Sequence, residues 1–422
     1  GNTMPTQRDM FKEAVLDAYA EHDSLTNDEL YQKVGQSLSI DPDAGHHLQP
    51  VGKDGTIRSV YTRTVRFVQQ DLKSSGMIQR VGRGQWKLTR EGKQTLTQID
   101  VDKHMVACST DLGVAIWGNS VNVFDKVLDD DVHLCVTSPP YLGIKRSYGT
   151  YHEENEHIDF IIKVLSPIRR KMIAGANLVL NISNDSILKK RHGERSLYLE
   201  KLTIRLSEEL GLFLMDRIPW YAPDKSPKGY QVTHARTHLT SRYEPLLWFC
   251  TDPSRNLADN RRVLTPYSEQ MKRMIENGGE TRDRADSDYQ PNARKGGFSA
   301  DNGGSIPGNV LIHPTNCSYN RKVLKYADQL NLPRHGALFP QSMVSDIIEW
   351  LCPEYGLVVD PFGGYATTGA AAQAANRRWM TCELFWEYVR PCLVRFEQCE
   401  GYYVNPLLTR LDDKALRYHL AA

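Results

Sequence analysis

Apolar positions near the amino end recur at helical spacing three times and then alternate as strands. Met10-Phe11, Val15-Leu16 and Tyr19 mark a helix from Gln7 to about His22. Thr26, with Glu29 three residues on, forms a capping-box signature ahead of Leu30-Tyr31 and Val34. A third helix is expected from about Thr56 to Ser75, carrying Val60, Val65, Phe67-Val68 and Leu72 on its apolar side and ending at Gly76. Met77 to Val81 and Gln85 to Thr89, joined by Gly82-Arg83-Gly84, then alternate as a β-hairpin does. Helices followed by a hairpin are the layout of a winged helix, expected over residues 1–100.

After a linker expected from about Gln98 to Met105, the period changes. Val132 to Val136, Ala176 to Ile182, Phe213 to Trp220, Tyr243 to Phe249, Leu357 to Val359 and Arg378 to Cys382 read as strands. Ile158 to Arg170, Tyr198 to Leu210 and Met343 to Leu351 read as helices between them. That alternation predicts an α/β domain, a Rossmann-like and mostly parallel sheet covered on both sides, over residues 106–250 and 309–400. The stretch between, 251–308, is polar, arginine-rich and punctuated by Gly278-Gly279, Gly296-Gly297 and Gly303-Gly304. Insertions with so little core are usually functional or disordered; a target-recognition region is expected here, with disorder in the absence of DNA compatible with it.

Two strand ends carry candidate chemistry. The strand Val132–Val136 runs through Thr137 into Ser138-Pro139-Pro140-Tyr141, where the double proline stops both helix and ladder. A small hydroxyl, a stiff carbonyl and a stacking ring at the carboxyl end of a strand can hold a nucleobase by its exocyclic amine. The plain structural alternative is a proline-rich turn. The second strand end delivers Asp360-Pro361-Phe362-Gly363-Gly364-Tyr365-Ala366-Thr367-Thr368-Gly369 and an alanine-rich helix, and the next strand ends in Glu383. Glycines there let backbone approach a ligand, and carboxylates at strand tips can hold a sugar or an ammonium group. Without Gly-x-Gly-x-x-Gly or a lysine-bearing phosphate loop, a dinucleotide or ATP is disfavoured.

Charge changes the picture only locally. The 422 residues carry a formal net charge of +1, so no polyanion partner shows in the total. Arg58, Arg63, Arg66, Lys73, Arg80, Arg83, Lys87, Arg90 and Lys93 nevertheless gather on the third helix and hairpin. Lys225, Lys228 and Arg236 lie in a proline-punctuated loop, and Arg261, Arg262, Arg282 and Arg294 in the insertion. These are the candidate DNA contacts, on phosphates or in the major groove. The eight cysteines are scattered without metal-ligand spacing and read as buried thiols, and no metal site is expected. No apolar run is long enough for a membrane span and no signal-peptide pattern opens the chain, so an intracellular protein is expected.

In this order, with the catalytic motif first, then an arginine-rich insertion and then the cofactor motif, the chain from about Ile116 to Phe396 resembles the beta group of amino-group DNA methyltransferases. The resemblance implies S-adenosylmethionine as cofactor, double-stranded DNA as partner, base flipping, a homodimer, and a bacterial cytoplasmic protein associated with the nucleoid. It implies Ser138, Pro139, Pro140 and Tyr141 as the catalytic motif, with Asp360, Phe362, Gly363, Gly364, Thr367 and Glu383 at the cofactor. Phe339-Pro340 would cover the methionine end of the cofactor. Asn119 stands where the family's adenosine contact is usually Asp, and Tyr365-Ala366 replaces the usual Ser/Gly-Gly. Serine at the first motif position is commoner among cytosine N4 enzymes, whereas the whole layout resembles stand-alone adenine methyltransferases. Adenine N6 is the expectation, cytosine N4 the alternative, and a DNA-binding regulator with a degenerate methyltransferase domain the alternative from another class. No endonuclease motif is apparent.

Overall fold

The computed structural model describes residues 7–22, 24–51, 55–89, 96–140, 154–183, 193–336, 338–413 and 416–417. Tyr141, Arg90 and Lys93 lie outside the described residues. The chain divides into two compact units, a smaller one built mainly from Gly1–Leu96 and a larger one from the rest.

The smaller unit runs α1 (Gln7–Glu21), β1 (Leu25–Thr26), α2 (Asn27–Leu38), β2 (Leu48–Val51), β3 (Thr56–Ser59), α3 (Val60–Ser74), β4 (Ile78–Gly82) and β5 (Gln85–Leu88). The capping box forms as the sequence predicts: the Thr26 hydroxyl accepts from the Glu29 amide at 3.3 Å and the Glu29 carboxylate from the Thr26 amide at 2.7 Å. Val15, Leu30, Val34, Val65 and Leu72 close the core with Trp86 from β5. The third helix starts later than expected. Thr56–Ser59 pairs antiparallel with Leu48–Val51, and the Ser59 hydroxyl caps α3 by accepting from the Thr62 amide. β-Branched Thr56 and Ile57 favour a strand, and a serine before a helical run favours a cap. The hairpin β4–β5 gains β1 as a third strand, in the order β1-β5-β4.

The larger unit is a ten-stranded sheet. Its strands are β6 (His104–Ser109), β7 (Gly113–Gly118), β8 (Val132–Thr137), β9 (Met172–Asn181), β10 (Phe213–Tyr221), β11 (Tyr243–Cys250), β12 (Leu311–Ile312), β13 (Leu357–Asp360), β14 (Arg378–Glu383) and β15 (Tyr403–Val404). They lie in the order β12-β10-β11-β9-β8-β13-β14-β7-β6-β15. The middle run, from β9 to β7, is parallel throughout, and antiparallel strands flank it. Buried on both faces, β8 and β13 are almost wholly apolar. Helices α4 (Glu154–Lys171) and α5 (Tyr198–Leu210) cover one face through Ile158, Ile161, Leu165, Leu202 and Leu206. On the other, α8 (Gln341–Leu351) packs against α9 (Thr367–Ala374); α6 (Glu269–Glu276) and α7 (Ser318–Gln329) precede them in the chain.

Two expectations need correction. The stretch from Gln98, expected as a linker, is pinned to the larger unit. The Thr97 amide and hydroxyl both donate to the buried Glu387 carboxylate, at 2.7 Å each, and Gln98 bridges to Phe385. The insertion has a folded path. It contains α6, a Thr265–Ser305 bridge and a stitched turn in which Glu280 N donates to Gly297 O and Gly296 N to Glu280 O, both at 2.8 Å. Its backbone is ordered by hydrogen bonds and tight glycines, because it buries no hydrophobic side chain between Thr251 and Pro307. A Cβ on Gly279, at φ +92°, would stand 2.4 Å from the Gly297 carbonyl.

Packing is tight at Gly113 of β7, where a Cβ would stand 2.2 Å from the Trp379 ring. That ring is stacked 4.6 Å from Phe396 and tethered by its Nε1 to Gln373 at 2.8 Å, so it has nowhere to go. Gly113→Ala is expected to lower stability by about 1–3 kcal/mol in chemical denaturation, as overpacked cores do. An unchanged midpoint would show that the Trp379–Phe396 stack yields.

Candidate active site

The carboxyl ends of β8, β13 and β14 meet at one edge of the sheet, because Val358 and Val359 of β13 pair with Leu134 and Cys135 of β8. The Thr137 hydroxyl donates to Asp360 Oδ1 at 2.6 Å, the Thr368 hydroxyl to Oδ2 at 2.7 Å, and the Phe362 amide to Oδ1 at 2.9 Å. Asp360 is fully buried, and burial lifts its pKa from 3.8 to about 6 against those three hydrogen bonds. The carboxylate therefore ties β8 to the loop that follows β13.

Beside Thr137, Ser138 is half-buried and its hydroxyl donates to the Asn181 carbonyl at 3.4 Å. Pro139 is buried and Pro140 half-buried. The Pro140 carbonyl, which can only accept, takes a hydrogen bond from Nε2 of the buried His157 at 2.6 Å. Nδ1 of that ring must then be the acceptor, and the Tyr198 hydroxyl donates to it. Burial holds His157 below the usual histidine range, which keeps this neutral tautomer.

Asp360, Phe362, Gly363, Gly364, Thr367 and Glu383 all belong to one loop and strand tip. Glu383 Oε2 accepts from the Gly364 amide at 2.8 Å and Oε1 from the Phe385 amide at 3.1 Å, while burial lifts its pKa from 4.5 to about 7. Gly363 sits where a Cβ would be squeezed to 3.1 Å from the Cys382 carbonyl. The replacements at Tyr365-Ala366 fit this backbone. Ala366 adopts a left-handed φ of +58°, at modest cost for a non-glycine residue, and the buried Tyr365 hydroxyl accepts from the His335 amide at 2.9 Å. Phe362 is half-buried with its ring against Phe160.

Phe339 and Pro340 are buried beside the same loop: the Phe339 carbonyl accepts from Asn320 Nδ2 at 2.9 Å, and Asn320 Oδ1 accepts from Arg395 at 2.7 Å. Arg395 also donates to Gln341 at 2.7 Å and Thr367 at 3.1 Å, all neutral acceptors, and its buried Nε has no partner among the described residues. Desolvation lowers its pKa to about 10. A cation so placed suits a ligand that brings its own carboxylate, so the residues fit the amino-acid end of S-adenosylmethionine. Asn119 serves a turn in this structure. Its side chain caps the short turn Ser120–Asn122 by accepting from Val121 N at 3.1 Å and Asn122 N at 3.5 Å, and Ser120 reaches the Pro361 carbonyl.

The basic candidates separate. Arg58, Arg63, Arg66 and Arg83 are exposed on β3, α3 and the hairpin. Lys228, Arg236 and Arg282 are exposed as well. Lys225 pairs with the buried Glu244 at 2.9 Å and lies 5.4 Å from the Trp220 ring centre. Arg261 forks onto Asp259 at 2.9 and 2.8 Å, and Arg294 grips Asp286 at 2.7 Å. Arg262 departs from the expected DNA-reading role. Its guanidinium donates to the carbonyls of Leu257, Glu349 and Trp350, clamping the insertion to α8. Sequence reasoning missed His157, Tyr198, Asn320 and Arg395, which show no motif. Thr137 and Thr368 were legible as motif neighbours but not as partners of one carboxylate.

Two outcomes follow, one from the burial of Asp360 and Glu383 and one from the His157–Tyr198 hydrogen bond. The folded protein holds protons on Asp360 and Glu383 where the unfolded chain, with ordinary carboxyl groups, has lost them. Their stabilising contribution is complete below about pH 4 and lost as pH rises through about 6 to 7. The ligand-free protein should melt at progressively lower temperature across that window, and Glu383→Gln should flatten the slope; parallel curves would contradict the Glu383 assignment. Tyr198→Phe removes the donor to His157 Nδ1 and lets that ring protonate. Activity should fall several-fold and its acid limb move to higher pH, with cofactor affinity unchanged; a uniform loss at every pH would point to packing alone.

A family model described as DNA methylase matches residues 132–394, and one for the Mrr N-terminal domain matches residues 9–98. The Type II methyltransferase M.PvuII of Proteus hauseri is 30% identical over 297 residues, covering 69% of this chain and 85% of that protein. The DNA adenine methyltransferase YhdJ of Escherichia coli (strain K12) is 25% identical over 299 residues, covering 69% and 85%. Among solved structures, the PvuII DNA methyltransferase (cytosine-N4-specific) superposes with a TM-score of 0.55 at 23% identity, covering 73% of this chain and 94% of that one. With the matched span running from the start of β8 to beyond β14, the chain belongs to the DNA methylase family and is an S-adenosylmethionine-dependent amino-group methyltransferase of DNA.

Proposed function

We propose that the protein methylates the exocyclic N4 amine of cytosine in duplex DNA, with the target base turned out of the helix. The observation that carries this reading is the pair of acceptors at the ends of β8 and β9. Thr137 pairs with Leu180, so Ser138 and Asn181 come next in register on adjacent strands. The Asn181 side-chain oxygen is buried and has no donor among the described residues. A buried acceptor without a donor costs about 1–3 kcal/mol, and an incoming amine supplies donors. Serine at the first motif position and the likeness to PvuII methyltransferases, one described as cytosine-N4-specific, favour cytosine. The overall layout had favoured adenine N6, which stays as the second reading because YhdJ is named as an adenine enzyme.

In this proposal Ser138 and the Pro139 carbonyl accept the hydrogens of the exocyclic amine, drawing its lone pair out of conjugation with the ring. The His157–Tyr198 pair holds the Pro140 carbonyl and with it the geometry of the two prolines. Tyr141 stacks on the flipped base. Asp360, Phe362, Gly363, Gly364, Thr367 and Glu383, with Phe339-Pro340 and Arg395, hold the cofactor, which supplies an activated methyl group. Residues 251–308 form a target-recognition region, with Arg282, Arg261 and Arg294 from the insertion and Lys225, Lys228 and Arg236 from the preceding loop facing DNA. The smaller unit adds a DNA-binding face through Arg58, Arg63, Arg66 and Arg83, and the assembly is a homodimer.

Incubation with bacterial DNA and S-adenosylmethionine, followed by digestion to nucleosides and mass spectrometry, tests the reading. N4-methylcytosine is expected; N6-methyladenine would favour the second reading, and no methylated base would overturn both. Ser138→Ala should reduce turnover about a hundredfold, the scale of one lost transition-state hydrogen bond, with cofactor binding intact.

A further inference from the structure

In the smaller unit, an open cavity of about 390 Å³ lies between α3 and the hairpin β4–β5. That volume falls within the roughly 300–1,000 Å³ of ordinary ligand sites. Its cations are Arg63, Arg66 and Arg80, none of which has a carboxylate partner among the described residues. Two of them are already oriented. Arg66 Nε donates to the Tyr31 hydroxyl at 2.8 Å and Arg80 Nε to the Gly82 carbonyl at 2.9 Å, which leaves the terminal nitrogens of both guanidiniums available. The third guanidinium lies over the Phe67 ring, 5.3 Å from its centre.

Beside the cations are two aromatic rings, Phe67, which is 57% exposed, and the edge of Trp86. Three amides complete the lining. Gln69 is buried, and its Nε2 donates to the Tyr19 hydroxyl at 2.9 Å and to Asn27 Oδ1 at 3.0 Å. With those groups spent, Gln69 offers an acceptor and Asn27 offers donors, in fixed positions. Gln70 lies at the rim, exposed on the same side of α3 as Arg63, Arg66 and Phe67, three to seven residues along. Forked cations for an anion, a ring for stacking and oriented amide groups for a polar edge form one combined chemistry.

We propose that this cavity binds a single nucleotide, with its phosphate on Arg63, Arg66 and Arg80, its base against Phe67, and the base edge read by Asn27, Gln69 and Gln70. The nucleotide comes either from an unpaired position in DNA or from a free mononucleotide. The inference rests on the methyltransferase reading only for the first of these sources, and it goes beyond a general basic face because it requires a base as well as a phosphate.

The full-length protein, saturated with S-adenosylhomocysteine so that its adenosine site is filled, is titrated with deoxynucleoside 5′-monophosphates. It is titrated in parallel with a short duplex containing one bulged nucleotide and with the fully paired duplex. Saturable mononucleotide binding is expected, together with at least tenfold tighter binding of the bulged duplex. Arg66→Ala and Phe67→Ala should each abolish both effects, and Arg66→Lys should restore only part. Mononucleotide binding without preference for the bulge would identify the free nucleotide as the source. If wild-type protein shows neither effect, the proposal is overturned. Should the arginine variant then lose paired-duplex affinity with a salt slope reduced by about one, the arginines grip backbone phosphates only. Methylated nucleosides in the enzyme assay would leave the methyltransferase reading standing in either case.

Discussion

The hydrogen bond from Thr137 to Asp360 spans 223 positions of sequence and closes in 2.6 Å. It exists because β8 and β13 are parallel neighbours in the sheet, although the insertion, β9, β10, β11 and several helices lie between them in the chain. Everything at the site depends on that pairing. It brings the strand that ends in Ser138 alongside the strand that delivers the glycine loop, and β14 adds Glu383 on the far side. In a parallel sheet the carboxyl ends of neighbouring strands open onto one crevice, so the two motifs share a site without touching in sequence.

Buried carboxylates organise the crevice. Asp360 and Glu383 are buried with no cation bound to them among the described residues; burial raises their proton affinity against the hydroxyl and amide donors, which make each a rigid anchor for the loop between them. The opposite arrangement holds at Arg395, beyond β14, which reaches Thr367 at the end of that loop and is ringed by neutral acceptors. Two uncompensated acids and one uncompensated cation in a dry site are costly in the free protein. A zwitterionic ligand with an ammonium, a carboxylate and sugar hydroxyls would answer that imbalance, which is the physical ground for proposing the cofactor site here.

The polar periphery follows another rule. From Thr251 to Pro307 no hydrophobic side chain is buried, and the path is maintained by glycine turns, by acid–arginine pairs such as Arg294–Asp286, and by the clamp of Arg262 on α8. Part of the arginine richness that suggested DNA reading is therefore used to build the loop. The exposed Arg282 and the arginines of α3 are free of that duty.

Much of this was legible from one chain. The spacing of Leu30, Val34, Val65 and Leu72 determined a helical amino-terminal unit, the capping box placed α2, and the apolar runs before Ser138, Asp360 and Glu383 marked the strands β8, β13 and β14, because local propensity and turn residues act over a few positions. The Thr56–Ser59 hairpin and the Asn119 cap are local pairings that the apolar spacing did not reveal, whereas the docking of Thr97 and Gln98 was settled by distant partners, Glu387 and Phe385. The same holds for His157 and Tyr198 behind Pro140, for Asn320 and Arg395 beneath Thr367, and for the use of Arg262. These roles arise from hydrogen bonds between residues far apart in sequence, and only the tertiary structure decides which buried donor meets which acceptor.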